Sequence, residues 1–245
     1  MDSVQANKRH WDVWARCNWP YRAERLKLIH DNEPFMEKYE PKLAPYLRDI
    51  KGKRIIVLQF GDGLVMLDCA KKGAIVTGVD LSTEQVKMAR DAAVYISVNV
   101  NLVEADCQSL PDVIPSDYFD LAVAECGILY WIEKPETWMK NVYRVLKNGG
   151  RLAFTDFHPL SQVTDEKDRN VKFKKSYFDQ GPEVDRPEDK SVPPAIGFVW
   201  KLSDIINATI QAGFRIERVE EFYVEEEDKR IPLMPTDYLL VATKE

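Results

Sequence analysis

The stretch Arg54–Ser82, RIIVLQFGDGLVMLDCAKKGAIVTGVDLS, decides the fold. Ile55-Ile56-Val57-Leu58 is a short apolar, β-branched run, as expected of a strand buried on both faces of a parallel sheet. Gly61 and Gly63 follow at once and permit a tight turn with close approach of a ligand to the backbone. Leu64–Lys72 can then form a short helix, ended by Gly73. Ala74–Val79 reads as a second strand, with Asp80 at its C-terminal end, the edge at which open α/β sheets bind ligands. Strand, glycine turn, helix and acid-tipped strand together make a pocket for the adenosine half of a nucleotide-like cofactor.

Downstream, Thr83–Tyr95 reads as a helix, with Ser82 as N-cap and Gln85 three residues on in a capping-box pattern. Asn101–Glu104 is a third strand, followed by Ala105-Asp106-Cys107. Phe119–Glu125 (FDLAVAE) is a fourth strand with an acidic end, and Pro135–Leu146 a helix. Lys147-Asn148-Gly149-Gly150 forms a C-cap and turn before a fifth strand, Arg151–Asp156. Ser161–Trp200 is charged and proline-punctuated with little periodicity, so a long functional loop is expected there. Leu202–Ala212 returns to helix, with Ser203 as the expected N-cap. Ile216–Tyr223 and Tyr238–Thr243 are late strands whose link is too short for a helical crossover, so they pair antiparallel. The acidic run between them should be a solvated loop. Upstream, Asn7–Trp19 looks helical and carries Trp11, Trp14 and Trp19, until Pro20 breaks it; Ala23–His30 is a further helix, and Phe35–Leu47 packs on the sheet.

This alternation predicts an α/β fold: a Rossmann-like, doubly wound sheet of about seven strands, mostly parallel with an antiparallel C-terminal pair, and helices on both faces. A chain of 245 residues suits one domain, and 45% hydrophobic residues can fill its core. It divides into an N-terminal helical lid (1–50), a cofactor-binding core (51–160), a substrate-cap insertion (161–200) and a C-terminal helix with its strand pair (201–245). A net charge of −6 argues against nucleic-acid partners, which need a basic face. No apolar run approaches the ~18 residues of a membrane helix, and the N-terminal MDSVQANKRHWDVW lacks the apolar core of a secretory signal, so a cytoplasmic protein is expected. Cys17, Cys69, Cys107 and Cys126 form no CxxC pair, and His10, His30 and His158 do not cluster; reduced thiols and no metal are expected.

A dinucleotide pocket wants a third glycine where Met66 stands, which counts against a nicotinamide-dependent oxidoreductase, and no Gly-Lys-Ser/Thr follows to make a phosphate loop. The chain instead resembles the class I S-adenosylmethionine-dependent methyltransferases. The resemblance rests on Gly61-Asp62-Gly63, Asp80, Ala105-Asp106, FDLAVAE with Glu125, and the LKNGG turn, in that order. It covers about Ile50–Phe157 well and the rest more loosely. GAIVTGVDLS and the ending W-x-L-S-D-I-I-N-A-x-I-x-A-G-F-R-I are similar to a bacterial branch acting on small molecules. The resemblance implies S-adenosylmethionine as cofactor, S-adenosylhomocysteine as product, and transfer by in-line displacement. It implies a binding set of Gln59, Gly61, Gly63, Asp80, Leu81, Asp106, Cys107 and Glu125, with Trp11 from an N-terminal helix that closes over the cofactor. Asp80 would accept from both ribose hydroxyls, Asp106 from the adenine amino group, and Cys107 would lie on the ring. The family usually has an acid where Gln59 stands and a glycine at Val65; the departure leaves open a non-catalytic binding protein.

Methyl transfer needs alignment more than covalent help, so a base need not be advertised. His158 is the candidate base, at the ligand-bearing edge of the fifth strand; the alternative is a histidine that fixes the Phe-His-Pro corner. Trp14, Tyr21, Tyr130, Trp131 and Trp200 are the candidate substrate-pocket walls. No Asn-Pro-Pro-Tyr-like motif follows the fourth strand, where Glu125-Cys126-Gly127 stands, which argues against an exocyclic base amine or a glutamine amide as acceptor. A small metabolite or natural product is expected as substrate, with a peptide among the options, and the oligomeric state is open.

Overall fold

The computed structural model describes residues 2–17, 21–167, 170–223 and 233–245. Three helices come first: α1 (Ser3–Cys17), α2 (Arg22–His30) and α3 (Phe35–Tyr39), then a 3-10 turn at Ala44–Leu47. The core alternates β1 (Arg54–Leu58), α4 (Leu64–Lys71), β2 (Ile75–Asp80), α5 (Thr83–Tyr95), β3 (Val100–Glu104), β4 (Phe119–Glu125), α6 (Pro135–Val145) and β5 (Leu146–Phe157). After α7 (Pro159–Val163) come β6 (Thr164–Lys167), β7 (Asn170–Phe173), β8 (Glu183–Asp185) and β9 (Ala195–Gly197), and then α8 (Leu202–Gln211), β10 (Phe214–Phe222) and β11 (Asp237–Lys244). Trp19, Pro20 and the acidic 224–232 segment lie outside the described residues.

Seven strands form one sheet in the order β10-β11-β5-β4-β1-β2-β3. The strands β1 to β5 are parallel, whereas β11 runs antiparallel to both β5 and β10. The last strand therefore lies inside the sheet, between β5 and β10. Alternate residues of β1 enter opposite layers: Ile55 and Val57 pack with α2 to α5, Ile56 and Leu58 with α6 and α8. Burial on both faces is why the strand reads as an unbroken apolar run.

Some local expectations are corrected. The Lys147–Gly150 turn is a bulge at the start of β5: Phe119 pairs with Leu146 and Leu121 with Arg151, so the residues between are looped out. Ser82 caps α5 by accepting from Gln85 N at 3.2 Å, but the Gln85 side chain does not reciprocate. Helix α8 starts before Ser203, and Lys201 N donates to Asp204 Oδ2 at 3.3 Å. The 161–200 insertion is not a plain loop; it holds the hairpins β6–β7 and β8–β9. Strands of three or four residues leave no periodic trace in a sequence.

Gly78 in β2 explains Met66. A Cβ at Gly78 would lie 2.2 Å from Met66 Sδ and 2.9 Å from Phe60 Cδ1. A dinucleotide fold thins the helix with a third glycine; here the helix keeps a large side chain and the strand gives up its own. Among the described residues no helix is long and apolar enough to cross a membrane.

Gly78→Ala should cost about 1–3 kcal/mol in urea unfolding by overpacking, and Met66→Ala about 2–5 kcal/mol by leaving a cavity. The double variant should be more stable than the sum of the two losses by about 1 kcal/mol or more, since one methyl fills the other's space. Strict additivity would show that the two positions do not share that space.

Candidate active site

A cavity of about 420 Å³ opens at the C-terminal ends of β1 to β4, under α1. This is the crevice where the strand order reverses, between β1 and β4. A larger concavity, about 590 Å³, lies at the opposite ends of β2 and β3, lined by Ile75, Thr77, Asn101 and Tyr118. It lies at the strand ends away from Asp80 and Glu125, and Val113, Ile114 and Pro115, before β4, line it as well.

Buried carboxylates shape the loops around the crevice. Asp80 Oδ2 accepts from Gly61 N at 3.0 Å and Oδ1 from Ser82 N at 2.9 Å, tying the first glycine turn to the end of β2. Burial pushes its pKa up to about 6, against the pull of those two N–H groups. Asp106 Oδ1 accepts from Gln108 N at 2.9 Å. Asp156, at the end of β5, accepts from four backbone N–H groups: Gly127, Ile128 and Phe157 on Oδ1, and Leu129 on Oδ2, all at 2.8–2.9 Å. It folds the loop after β4 back over the sheet. Gln59 and Cys126, just beyond β1 and β4, both adopt positive φ, +49° and +50°. Backbone strain at non-glycine residues thus flanks the cavity on two sides.

Both polar atoms of Gln59 bond to the protein. Its Oε1 accepts from the indole of Trp138 at 3.0 Å, and its Nε2 donates to Ile128 O at 3.1 Å. A carboxylate could make the first bond but not the second. Glu125, Glu40, Asp62 and Arg25 line the same cavity. Burial, then the Glu40 and Asp62 charges, push Glu125 well above the usual carboxylate range.

The roof is aromatic. Trp11 and Trp131 meet edge to face with ring centroids 5.4 Å apart, and Trp14 stands 6.2 Å from Trp11. Helix α1 is pinned on both sides of this cluster. Lys8 Nζ donates to Leu81 O (3.1 Å), Thr83 Oγ1 (2.6 Å) and Glu104 Oε1 (2.8 Å), and Asp12 accepts from Ser82 Oγ at 2.7 Å. On the other side Asn7 exchanges two hydrogen bonds with Ile196 of β9, and His10 Nδ1 donates to Pro193 O at 2.8 Å.

The cavity brings together Gln59, Gly61, Asp80, Leu81, Asp106, Cys107, Glu125, Trp11, Trp14, Tyr21 and Trp131. Four expected residues fall elsewhere. Gly63 shapes the turn, at φ +76° as the N-cap of α4, without reaching the cavity. Tyr130 turns away and its hydroxyl donates to Glu183 at 2.8 Å. Trp200 stacks on Phe198 and its indole donates to Ile132 O. His158 is a correction: it is 3% exposed, accepts from Leu160 N as the N-cap of α7, and sits 2.9 Å from Glu221. Its neighbour Phe157 lines the cavity, and strand alternation sends 158 to the other side. Nor do the described residues of 161–200 line the cavity; β9 supports α1 from behind. The sequence reading missed Arg25 and Glu40 because they stand in proline-punctuated helical segments without a motif. Asp156 carried a signal, an acid closing a strand, as at Asp80.

Comparison with known proteins follows the same lines. Residues 57–154 match a protein family described as a methyltransferase domain. Ubiquinone biosynthesis O-methyltransferase from Coxiella burnetii is 30% identical over 140 residues, 56% of this chain and 56% of that protein. The chain thus spans about half the length of the curated relatives it matches. An S-adenosylmethionine-dependent methyltransferase from Mesorhizobium loti superposes with a TM-score of 0.68 at 26% identity, covering 83% of this chain and 96% of that one. One from Methanosarcina mazei shares the fold at 19% identity, TM-score 0.62, over 83% and 97% of the two chains. Over residues 57–154 the domain match, the strand order and the acids ending β2 and β4 agree with the class I S-adenosylmethionine-dependent methyltransferases, a family whose cofactor is S-adenosylmethionine.

Proposed function

We propose that the chain transfers a methyl group from S-adenosylmethionine to a small, largely apolar metabolite held beneath α1. The observation that carries this reading is one cavity lined both by hydrogen-bond acceptors, Asp80 and Asp106, and by the rings of Trp11, Trp14 and Trp131.

The donor set fits the cofactor. Asp80 offers an ionised, bidentate acceptor for two ribose hydroxyls, Asp106 an acceptor for an adenine amino group, and Cys107 a buried apolar surface for the ring. Gly61 leaves room: a Cβ there would meet only Gln59 O, at 4.0 Å. When bound, S-adenosylmethionine supplies a sulfonium methyl group for in-line displacement. The chain's own residues supply alignment and dryness. The indoles exclude water, and their faces attract a cation. Helix α1 serves as the lid and the β8–β9 hairpin as its backstop, a role that replaces the expected substrate cap. Because α1 is fixed to Ser82, next to Asp80, closing the roof and shaping the ribose site are one event.

The name of the Coxiella relative favours an oxygen acceptor, and a cavity of about 420 Å³ favours a small one over a peptide or nucleic acid. Four free cysteines suit a reducing cytoplasm.

Calorimetric titration should give micromolar or tighter binding of S-adenosylhomocysteine; no binding to either form of the cofactor would overturn the reading. Incubation with S-adenosylmethionine and a metabolite extract should yield one product heavier by a methyl group. Asp80→Ala should weaken S-adenosylhomocysteine about a hundredfold or more, since two hydrogen bonds to a charged group are lost at about 1.5–3 kcal/mol each.

Affinity should also depend on pH. Burial sets the Asp80 pKa at about 6, and two hydroxyl donors need the ionised form. Binding should therefore be flat above pH ~7 and about tenfold weaker by pH ~5, as the carboxylate takes up its proton. An affinity constant over that range would show that Asp80 is not the acceptor.

A further inference from the structure

The missing acid at Gln59 poses a problem of charge. The cofactor ends in an ammonium and a carboxylate, and the side chain expected to attract the ammonium is neutral. Gln59 is also committed, its oxygen to Trp138 and its nitrogen to Ile128 O.

The same cavity is lined by a charged set, Arg25, Glu40 and Glu125. Arg25, from α2, places its guanidinium between the rings of Tyr21 and Tyr39, 4.1 and 4.3 Å from their centroids. It lines the cavity and forms no ion pair among the described residues. Glu40, at the end of α3, and Glu125, at the end of β4, line the same cavity with Asp62. Carboxyl groups gathered on one wall attract an incoming cation. A guanidinium without an ion pair among the described residues, together with two acids in one cavity, complements a zwitterion.

Position decides which zwitterion. Asp80 and Asp106 stand at the ends of β2 and β3, while Glu125 stands beyond β1, at the end of β4. A ligand with its ribose on Asp80 and its adenine toward Asp106 directs its remaining arm to the β1–β4 crevice. We propose that Glu40 and Glu125 bind the ammonium of that arm and Arg25 its carboxylate, replacing the acid lost at Gln59. The assignment rests on the cofactor reading given above.

The test compares two ligands by calorimetry on the whole chain. S-adenosylhomocysteine has the amino-acid arm; 5′-methylthioadenosine has the adenosine and the sulfur but no arm. Arg25→Met, Glu40→Gln and Glu125→Gln should each weaken S-adenosylhomocysteine about tenfold or more and leave 5′-methylthioadenosine within about twofold. The unchanged second ligand also reports that each variant is folded. Unchanged S-adenosylhomocysteine affinity in the variants, or equal losses for both ligands, would overturn the assignment. So would a wild-type protein that binds both ligands equally well, although the cofactor reading would then stand. Failure to bind either ligand would remove the cofactor reading itself, and this assignment with it.

Discussion

Asp156 does not line the cavity, yet the cavity depends on it. Its carboxylate, 4% exposed, accepts from four backbone N–H groups, three of them in the loop after β4. Those groups lie away from water and would each cost about 1–3 kcal/mol if left unpaired. Held by Asp156, the loop stabilises Cys126 at positive φ and presents Glu125 and Trp131 to the crevice. It also brings Ile128 O to the Gln59 amide and Ile132 O to the Trp200 indole. The catalytic end of a parallel sheet is where backbone must leave the ladder without losing its hydrogen bonds, and here buried carboxylates receive it.

Asp80 applies the same device with a second purpose. Two N–H groups fix it, and burial leaves it with a pKa of about 6, poised to accept from a ligand. Gln59 shows the opposite choice. It gives up charge to brace Trp138, which is fully buried between β1 and β5, and so makes a neutral residue structural where a charged one was expected. Glu40 and Glu125 line the same cavity from elements that the strand-and-turn motif does not include.

What the sequence disclosed follows from where each constraint acts. β1, β2 and β4 are legible because burial on both faces demands continuous apolar runs, and Asp80 and Glu125 are legible because they end those runs. Gly78 and Met66 were not legible, since their size exchange acts across a helix–strand contact rather than along the chain. His158 was placed at the correct edge but on the wrong side, although period-2 alternation from Phe157 carried the answer. Tyr130 and Trp200 resemble Trp131 in composition, and only the partners chosen by their polar atoms, Glu183 and Ile132 O, remove them from the cavity. The hairpins of 161–200 escaped because their strands are too short to alternate, and Arg25 and Glu40 because nothing local distinguishes them from solvated charges.

In the proposed arrangement one cavity, under α1, orients S-adenosylmethionine from Asp106 through Asp80 to the β1–β4 crevice. A crystal structure of the complex with S-adenosylhomocysteine tests it. The expected complex has ribose hydroxyls on Asp80, the adenine amino group on Asp106, and the amino-acid arm between Arg25 and the Glu40–Glu125 pair, with Gln59 still bonded to Trp138. A ligand arm turned onto Gln59 with the Trp138 bond broken, or a ligand outside this cavity, would contradict it.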